Sequence, residues 1–346
     1  MAHIGIDCRF ASESVGLGTY TRQMVKNLLE QSSRDSFVLF VRDCREEWIK
    51  DIKTTNFELV VANMRHYSIA EQMRFPVLIR SSKIDLLYAP HFNVPYFCPV
   101  PFVVTIHDLI LHRYPNSASA VKRLAYRILM GRSVQKSKKI VAVSKFTAQE
   151  LSSVYGKSID AKVIHVTEGY DESYVTNTDQ DILDFYDLKP GYFLYVGAAK
   201  QHKNVQMLLD SYKKSKIDIP LILVTNGKEV DRLQVPDGAR VLLGIEHEEL
   251  PTIYSAAGCF VTASAYEGFC LPILEARACG CPIIAVSSSA IPEVSGSSAK
   301  LIDLSEQSIV EALRNPPNKS DPPESTYSWE ASAKKVSGIL TDTLHG

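Results

Sequence analysis

Apolar residues in this chain gather in short β-branched and aliphatic runs, separated by longer stretches of mixed polarity. The first half carries HIGIDC from His3, FVLFV from Phe37, ELVVA from Glu58, DLLYA from Asp85, FVVTIH from Phe102 and KIVAVS from Lys139. The second half repeats the pattern with YFLYVG from Tyr192, LILVT from Leu221, ARVLLG from Ala239, CFVTAS from Cys259 and CPIIAVS from Cys281. Apolar strands alternating with helical stretches such as TYTRQMVKNLLEQ from Thr19 predict parallel sheets with crossover helices. The fold class is therefore α/β, with enough strands in each half for its own doubly wound sheet.

Between Thr167 and Tyr192 the pattern fades into TEGYDESYVTNTDQD, acidic and polar, which reads as a linker and a short helix. This places an N-terminal domain at 1–168 and a C-terminal domain at 169–327. A Pro- and Ser-rich stretch from Arg314 to Ser328 precedes a last helix, about 328–346, which is separable from the second core and is grouped with the first domain.

Composition narrows the function classes. At 346 residues, 45% hydrophobic and 22% charged, the chain fits a two-domain globular protein. A formal net charge of −1 offers no general attraction for a polyanion, so nucleic acid is not an expected partner. The opening residues lack a basic-then-apolar leader, and no apolar run approaches the roughly 20 residues that span a bilayer, so a cytoplasmic protein is expected. Its 7 cysteines include no CxxC pair, which argues against a disulfide framework or zinc ribbon and for small buried hydrophobes.

In open α/β sheets ligands bind beyond the carboxyl ends of the strands, and four segments place chemistry there. In the segment from Glu267 to Gly280, Pro272 suits a first helical position and Gly280 a helix end. The amides of Gly268, Phe269, Cys270 and Leu271 would then face an anion or sugar hydroxyls, with Glu275 in the first helical turn. Glu267 and Glu275 can grip separate hydroxyls of one ligand; a solvated loop glutamate and a charge complementing the helix dipole are the plainer alternative. The second segment runs through Gly197, Lys200 and Lys203, a strand, a glycine turn and a helix start suited to a diphosphate. The third has His107 and Asp108 emerging from an apolar strand. In the fourth, Gly16 and Gly18 precede a helix after the first strand, where a plain turn is also possible. His91 and Asn93 follow DLLYA as an acceptor-side element.

The string YEGFCLPILEARACGCPIIAV, continued by SAIPEVSG, resembles the E-x7-E region of retaining glycosyltransferase family 4. HIGIDCRF, VSKFT, LLGIEHEELPTIYSAA and YSWEASAKKV are similar to family segments in the same order. The resemblance implies the GT-B fold: two facing Rossmann-like domains, with a C-terminal helix crossing back to the first. It gives Glu267 and the following amides to the donor sugar, Glu275 to the nucleotide ribose, and Gly16 and Gly18 to the donor phosphates or the acceptor. His107 then lies at the reacting end of the sugar, with Asp108 orienting it or the acceptor. Lys203 stabilises the leaving diphosphate, which itself takes the acceptor's proton on the same face. The chain departs from family custom at Cys270, where glycine is common, and near Ala198 and His202, where an arginine is frequent and Lys200 is the candidate substitute.

The implied activity is metal-independent, cofactor-free transfer of a hexose from a nucleotide diphosphate sugar. Bacterial polysaccharide mannosyltransferases are the most similar-looking group, so GDP-mannose is the expected donor and a glycan or lipid-linked glycan the acceptor. Rival readings are a metal-dependent transferase using Asp179-Gln180-Asp181, a phosphorylase, and an inactive sugar-nucleotide-binding scaffold. Between residues 121 and 140 there are 7 Lys or Arg and no acid, with Val121, Leu124, Ala125, Ile128 and Leu129 as an apolar helical stripe. That stripe faces either the core or an anionic membrane at the cytoplasmic face.

Overall fold

A computed structural model describes residues 2–13, 16–32, 35–227 and 229–345. The chain divides into two compact units, Met1–Gly169 with Thr326–Gly346, and Tyr170–Ser325. Each is built on a parallel sheet.

The first unit holds β1 (His3–Asp7), β2 (Ser36–Val41), β3 (Phe57–Val61), β4 (Leu86–Ala89), β5 (Phe102–Ile106), β6 (Lys139–Ala142) and β7 (Val163–His165), in the order 3-2-1-4-5-6-7. β1 sits at the switch, with Ile4 aligned to Phe37 on one side and Leu86 on the other. Strands β4 and β5 are buried at every residue, because helices cover both faces of a parallel sheet, and this is why they read as unbroken apolar runs. β7 is absent from the strands expected from hydrophobic patterning. It is a three-residue edge strand with no fully buried position, too short and too wet to leave a periodic signal.

The second unit contains β8 (Phe193–Val196), β9 (Leu221–Val224), β10 (Ala239–Leu242), β11 (Cys259–Thr262), β12 (Ile283–Val286) and β13 (Lys300–Ile302), ordered 10-9-8-11-12-13. β13 is again a short edge strand that patterning misses. The order reverses between β8 and β11, as it does between β1 and β4 in the first sheet.

The last helix, Trp329–His345, belongs to the first unit, where it packs along the helix Leu17–Gln31. Its inward face, Trp329, Ala333, Val336 and Leu340, follows the 3.6-residue period. The Ser332 hydroxyl donates to the Thr167 carbonyl (2.6 Å) and Gln31 donates to that of Glu330 (3.0 Å).

Two polar stretches are better anchored than their composition suggests. Tyr174, in the acidic segment after the first unit, is buried with its ring edge-on to His247 and Tyr254. The Pro-rich segment is held by the buried guanidinium of Arg277, which donates to the carbonyls of Val294 (2.8 Å), Asp321 (3.1 Å) and Pro322 (2.8 Å) and pairs with Glu324. Arg277→Met removes those donors and leaves buried acceptors unmet, which costs the second unit about 3 kcal/mol. Chemical denaturation should show that loss, together with faster proteolysis within residues 315–325; an unchanged cleavage rate would refute the strap.

Candidate functional site

At the carboxyl edge of the first sheet, three loops converge on one buried carboxylate. Arg9, two residues past β1, is fully buried and donates to both oxygens of Asp7 (2.7 Å each) and to Glu71 Oε1 (2.6 Å). Its guanidinium lies 3.8 Å from the centre of the Phe75 ring. Glu71 also accepts from Asn93 Nδ2 (2.8 Å) and from the Tyr67 amide (2.6 Å). Burial would raise the Glu71 carboxyl, but His66 and Arg9 outweigh it and hold it below its ordinary value. Asn93 is thus a buried brace of the loop. Its own amide donates to His91 Nδ1 (3.2 Å), so the His91 proton is on Nε2. Burial, then His107, His66 and Arg9, press His91 well towards the neutral form.

His107 follows β5, with Nδ1 3.0 Å from Glu168 Oε1 and Nε2 2.8 Å from the Pro90 carbonyl. The Tyr20 ring meets it edge-on at 4.6 Å. Burial disfavours the imidazolium, but the hydrogen bond and charge of Glu168, with Pro90 and Asp108, more than offset this and raise its pKa. Both ring nitrogens are therefore occupied, and His107 lacks the open lone pair of a general base. The carboxylate hydrogen-bonded to it is Glu168; Asp108 accepts from the amide of Ile110 (2.9 Å), the first residue of the short helix after it. Patterning overlooks Glu168 because it stands three residues beyond the missed strand β7.

Gly16, at φ 59°, precedes the helix Leu17–Gln31, and a Cβ on Gly18 would lie 1.8 Å from the Glu13 carbonyl oxygen. Arg22 gathers the same turn by donating to the carbonyls of Ala11 (2.6 Å) and Glu13 (2.8 Å). The second glycine therefore has a packing reason to be one.

In the second unit, the Lys203 ammonium lies 2.8 Å from Glu267 Oε1, joining the loop after β8 to the loop after β11 across the switch in strand order. The Ala265 amide donates to the His202 carbonyl (2.8 Å) and Asn204 Nδ2 to that of Ala263 (3.0 Å), completing the seam. Burial pulls against the Lys203 ammonium, and Glu267 overcomes it, raising its pKa. A Cβ on Gly197, at φ 145°, would press on the Tyr195 hydroxyl at 3.2 Å and stand 3.7 Å from Lys203 Nζ. Lys200 is exposed. His202 is pulled down to about 4 by burial, with Lys203 and Lys200 outweighing part of the opposing Glu267 charge, so it brings no positive charge at neutral pH.

Glu267 is held at both backbone ends: its amide donates to Ser289 Oγ (2.8 Å) and its carbonyl accepts from Ala290 (3.3 Å). After Gly268 and buried Phe269 comes Cys270, also buried, at φ 83° and ψ 65°, a left-handed conformation that explains why glycine suits the position. Burial and Glu267 raise its thiol, which stays protonated.

The following helix runs Leu271–Ala278, so Pro272 is its second residue and Glu275 lies in the second turn, one turn later than expected. Gly280, at φ 72°, closes it with Cys281 in a pair of bonds back to Arg277 and Ala276. Glu275 accepts from the Tyr254 hydroxyl (2.8 Å), and burial raises its carboxyl to about 7 despite that bond. Asp179, from the Asp179-Gln180-Asp181 triplet, caps the helix Gln180–Phe185 by accepting from the amides of Asp181 and Ile182. Among the described residues, no group of three or more His, Cys, Asp or Glu is placed to hold a metal ion.

Two family models match in succession, "Glycosyltransferase Family 4" over residues 15–172 and "Glycosyl transferases group 1" over residues 183–314. Between them they take in nearly all of both sheets. The chain is a glycosyltransferase, with a family 4 domain followed by a group 1 domain. It is 27% identical to O-antigen chain mannosyltransferase B of Escherichia coli over 337 residues, covering 88% of each chain. It is also 27% identical to O-antigen chain mannosyltransferase RfbU of Salmonella typhimurium over 248 residues, 69% of this chain and 67% of that one. Sucrose-phosphate synthase from Thermosynechococcus elongatus has the same GT-B fold at a TM-score of 0.77, with 16% identity over 100% of this glycosyltransferase and 99% of the synthase.

Two of the shifted groups of the glycosyltransferase, His107 and Glu275, give opposite fingerprints under substitution but the same sign with pH. His107 has a folded pKa above its unfolded one, so its stabilising contribution is complete below about pH 6.5 and is lost as pH rises through the folded value. Glu168→Gln should remove that dependence and shift the His107 titration seen by NMR downward. Glu275 is likewise raised, so the fold loses stability as pH climbs from the ordinary carboxyl value to about 7. Glu275→Gln should melt higher than the parent above pH 7 and gain nothing at pH 4.

Proposed function

We propose that this enzyme transfers mannose from GDP-mannose, with retention of configuration and without a metal ion, to a glycan or lipid-linked glycan during cell-surface polysaccharide synthesis. The observation that carries the proposal is the Lys203–Glu267 pair across the switch of the second sheet. A diphosphate arriving beside Lys203 finds a fixed cation, and a sugar hydroxyl beside Glu267 finds a fixed acceptor. Each donor group so takes over a partner that the pair supplies to itself beforehand. Glu275, with its raised pKa, is suited to accept from ribose hydroxyls once ionised. Support for mannose is the naming of two relatives at 27% identity as O-antigen mannosyltransferases.

Catalysis in this scheme is preorganised electrostatics. Lys203 stabilises charge developing on the leaving diphosphate, whose oxygen takes the acceptor hydroxyl's proton on the same face as the departing bond. His107, with both nitrogens engaged, contributes a positioned imidazole and no proton transfer. Metal independence is supported by the lysine in the diphosphate place and by the capping role of Asp179.

Part of the acceptor-side surface is suited to an anionic membrane at the cytoplasmic face. In the helix Ala120–Lys136 the core-facing residues are Tyr126, Leu129, Met130 and Val134, whereas Val121, Leu124 and Ile128 are 79%, 61% and 48% exposed. Lys122, Arg123, Arg127 and Arg132 share that helix, so apolar and basic groups are offered together.

Incubation with GDP-mannose and an α-mannoside in EDTA should give an α-linked product. Lys203→Ala and Glu267→Ala should each lower kcat by roughly 10²–10³-fold. A strict requirement for Mg²⁺ or Mn²⁺, or turnover of another nucleotide sugar in preference, would overturn the respective part of the proposal. Flotation should find the parent on phosphatidylglycerol vesicles and release it when Val121, Leu124 and Ile128 are all changed to Ser; equal flotation of the two would refute the membrane contact.

A further inference from the structure

Tyr67 combines two features that protein folding by itself does not favour. It is a bulky aromatic residue at φ 59°, in the left-handed region, and its ring is 51% exposed. The conformation is enforced from below: its amide donates to Glu71 Oε2 at 2.6 Å, and Glu71 is locked by Arg9 and Asn93. A buried ion network thus holds a strained residue whose side chain stays half-exposed.

The neighbours of Tyr67 have complementary chemistry. His91 lies 6.5 Å away with its ring turned 75°, and Phe92 backs the same corner at 6.2 Å. Phe10 stacks on His66 at 3.8 Å and meets His91 at 4.5 Å, closing an aromatic floor. Because the Asn93 amide occupies His91 Nδ1, the imidazole presents an Nε2–H, and among the described residues that donor has no hydrogen-bond partner. Asn93 Oδ1 is a buried acceptor that is also unpaired, its amide orientation fixed by the bond from Nδ2 to Glu71. An aromatic face with an N–H donor beside it matches a pyranose ring, whose C–H face is apolar and whose rim is hydroxyl.

We infer that Tyr67 and His91 form a subsite for a pyranose ring of the acceptor glycan, the sugar stacking on the Tyr67 ring and a hydroxyl accepting from His91 Nε2–H. The inference rests on the reading of this chain as a transferase to glycan acceptors, and adds Tyr67, with the stacking face it supplies, to the acceptor-side element that carries His91.

Saturation-transfer NMR on the full chain, using octyl pyranosides of mannose, glucose, galactose and N-acetylglucosamine, tests the subsite without turnover. At least one should show contact through its ring protons, lost in Tyr67→Ala and retained in Tyr67→Phe. The best pyranoside should show an acceptor KM raised roughly tenfold in Tyr67→Ala, with the donor KM unchanged. Tyr67→Gly, which relieves the left-handed backbone, should melt no lower than the parent while losing the same contact, separating ligand loss from misfolding. Contact that survives in Tyr67→Ala, or none in the parent, overturns the subsite. Slow hydrolysis of the nucleotide sugar, which needs the donor half alone, reports separately on the transferase reading.

Discussion

Every strand in both sheets runs parallel to its neighbours, and that shared direction is the constraint from which the chemistry follows. It sends all the carboxyl ends of a sheet to one edge, and the reversal of strand order opens a gap between two loops at that edge. Arg9 and His91 follow the two strands at the first reversal, and Lys203 and Glu267 follow those at the second. Residues far apart in the sequence thus become neighbours without any one loop having to be long.

Parallel sheets bury their strands on both faces, so the loops at their edges must find polar partners close by. This protein does so with buried, multiply bonded side chains. Glu71 ties the ends of β1 and β4 to the start of the helix Ile69–Ser81, and Arg277 gathers the Pro-rich segment onto the second core. Such networks are expensive to desolvate and gain little net stability over an apolar core. What they supply is position, which a binding edge needs more than it needs further stability.

Charge at the two edges is balanced before any substrate arrives. His107 is matched by Glu168, and Lys203 by Glu267. Pairing favours the ionised forms in places where burial alone would neutralise them. Glu275 is the exception, with only a tyrosine hydroxyl against its burial, which raises its carboxyl to about 7.

Hydrophobic patterning by itself determined the fold class and eleven of the strands, because buried central strands leave local marks in composition. The resemblance to family 4 could be read for the same reason: its E-x7-E segment is contiguous. Only the tertiary structure decided the rest. β7 and β13 are too short to show a period, and with β7 went Glu168, which proves to be the partner of His107. Glu275 moved from the first helical turn to the second because the helix starts at Leu271, and the 121–129 stripe split, Leu129 turning inward while Val121, Leu124 and Ile128 stayed exposed. Pairings such as Arg9 with Glu71, or Lys203 with Glu267, join residues more than sixty positions apart. Their energies depend on distance and burial, and neither exists until the sheets have formed.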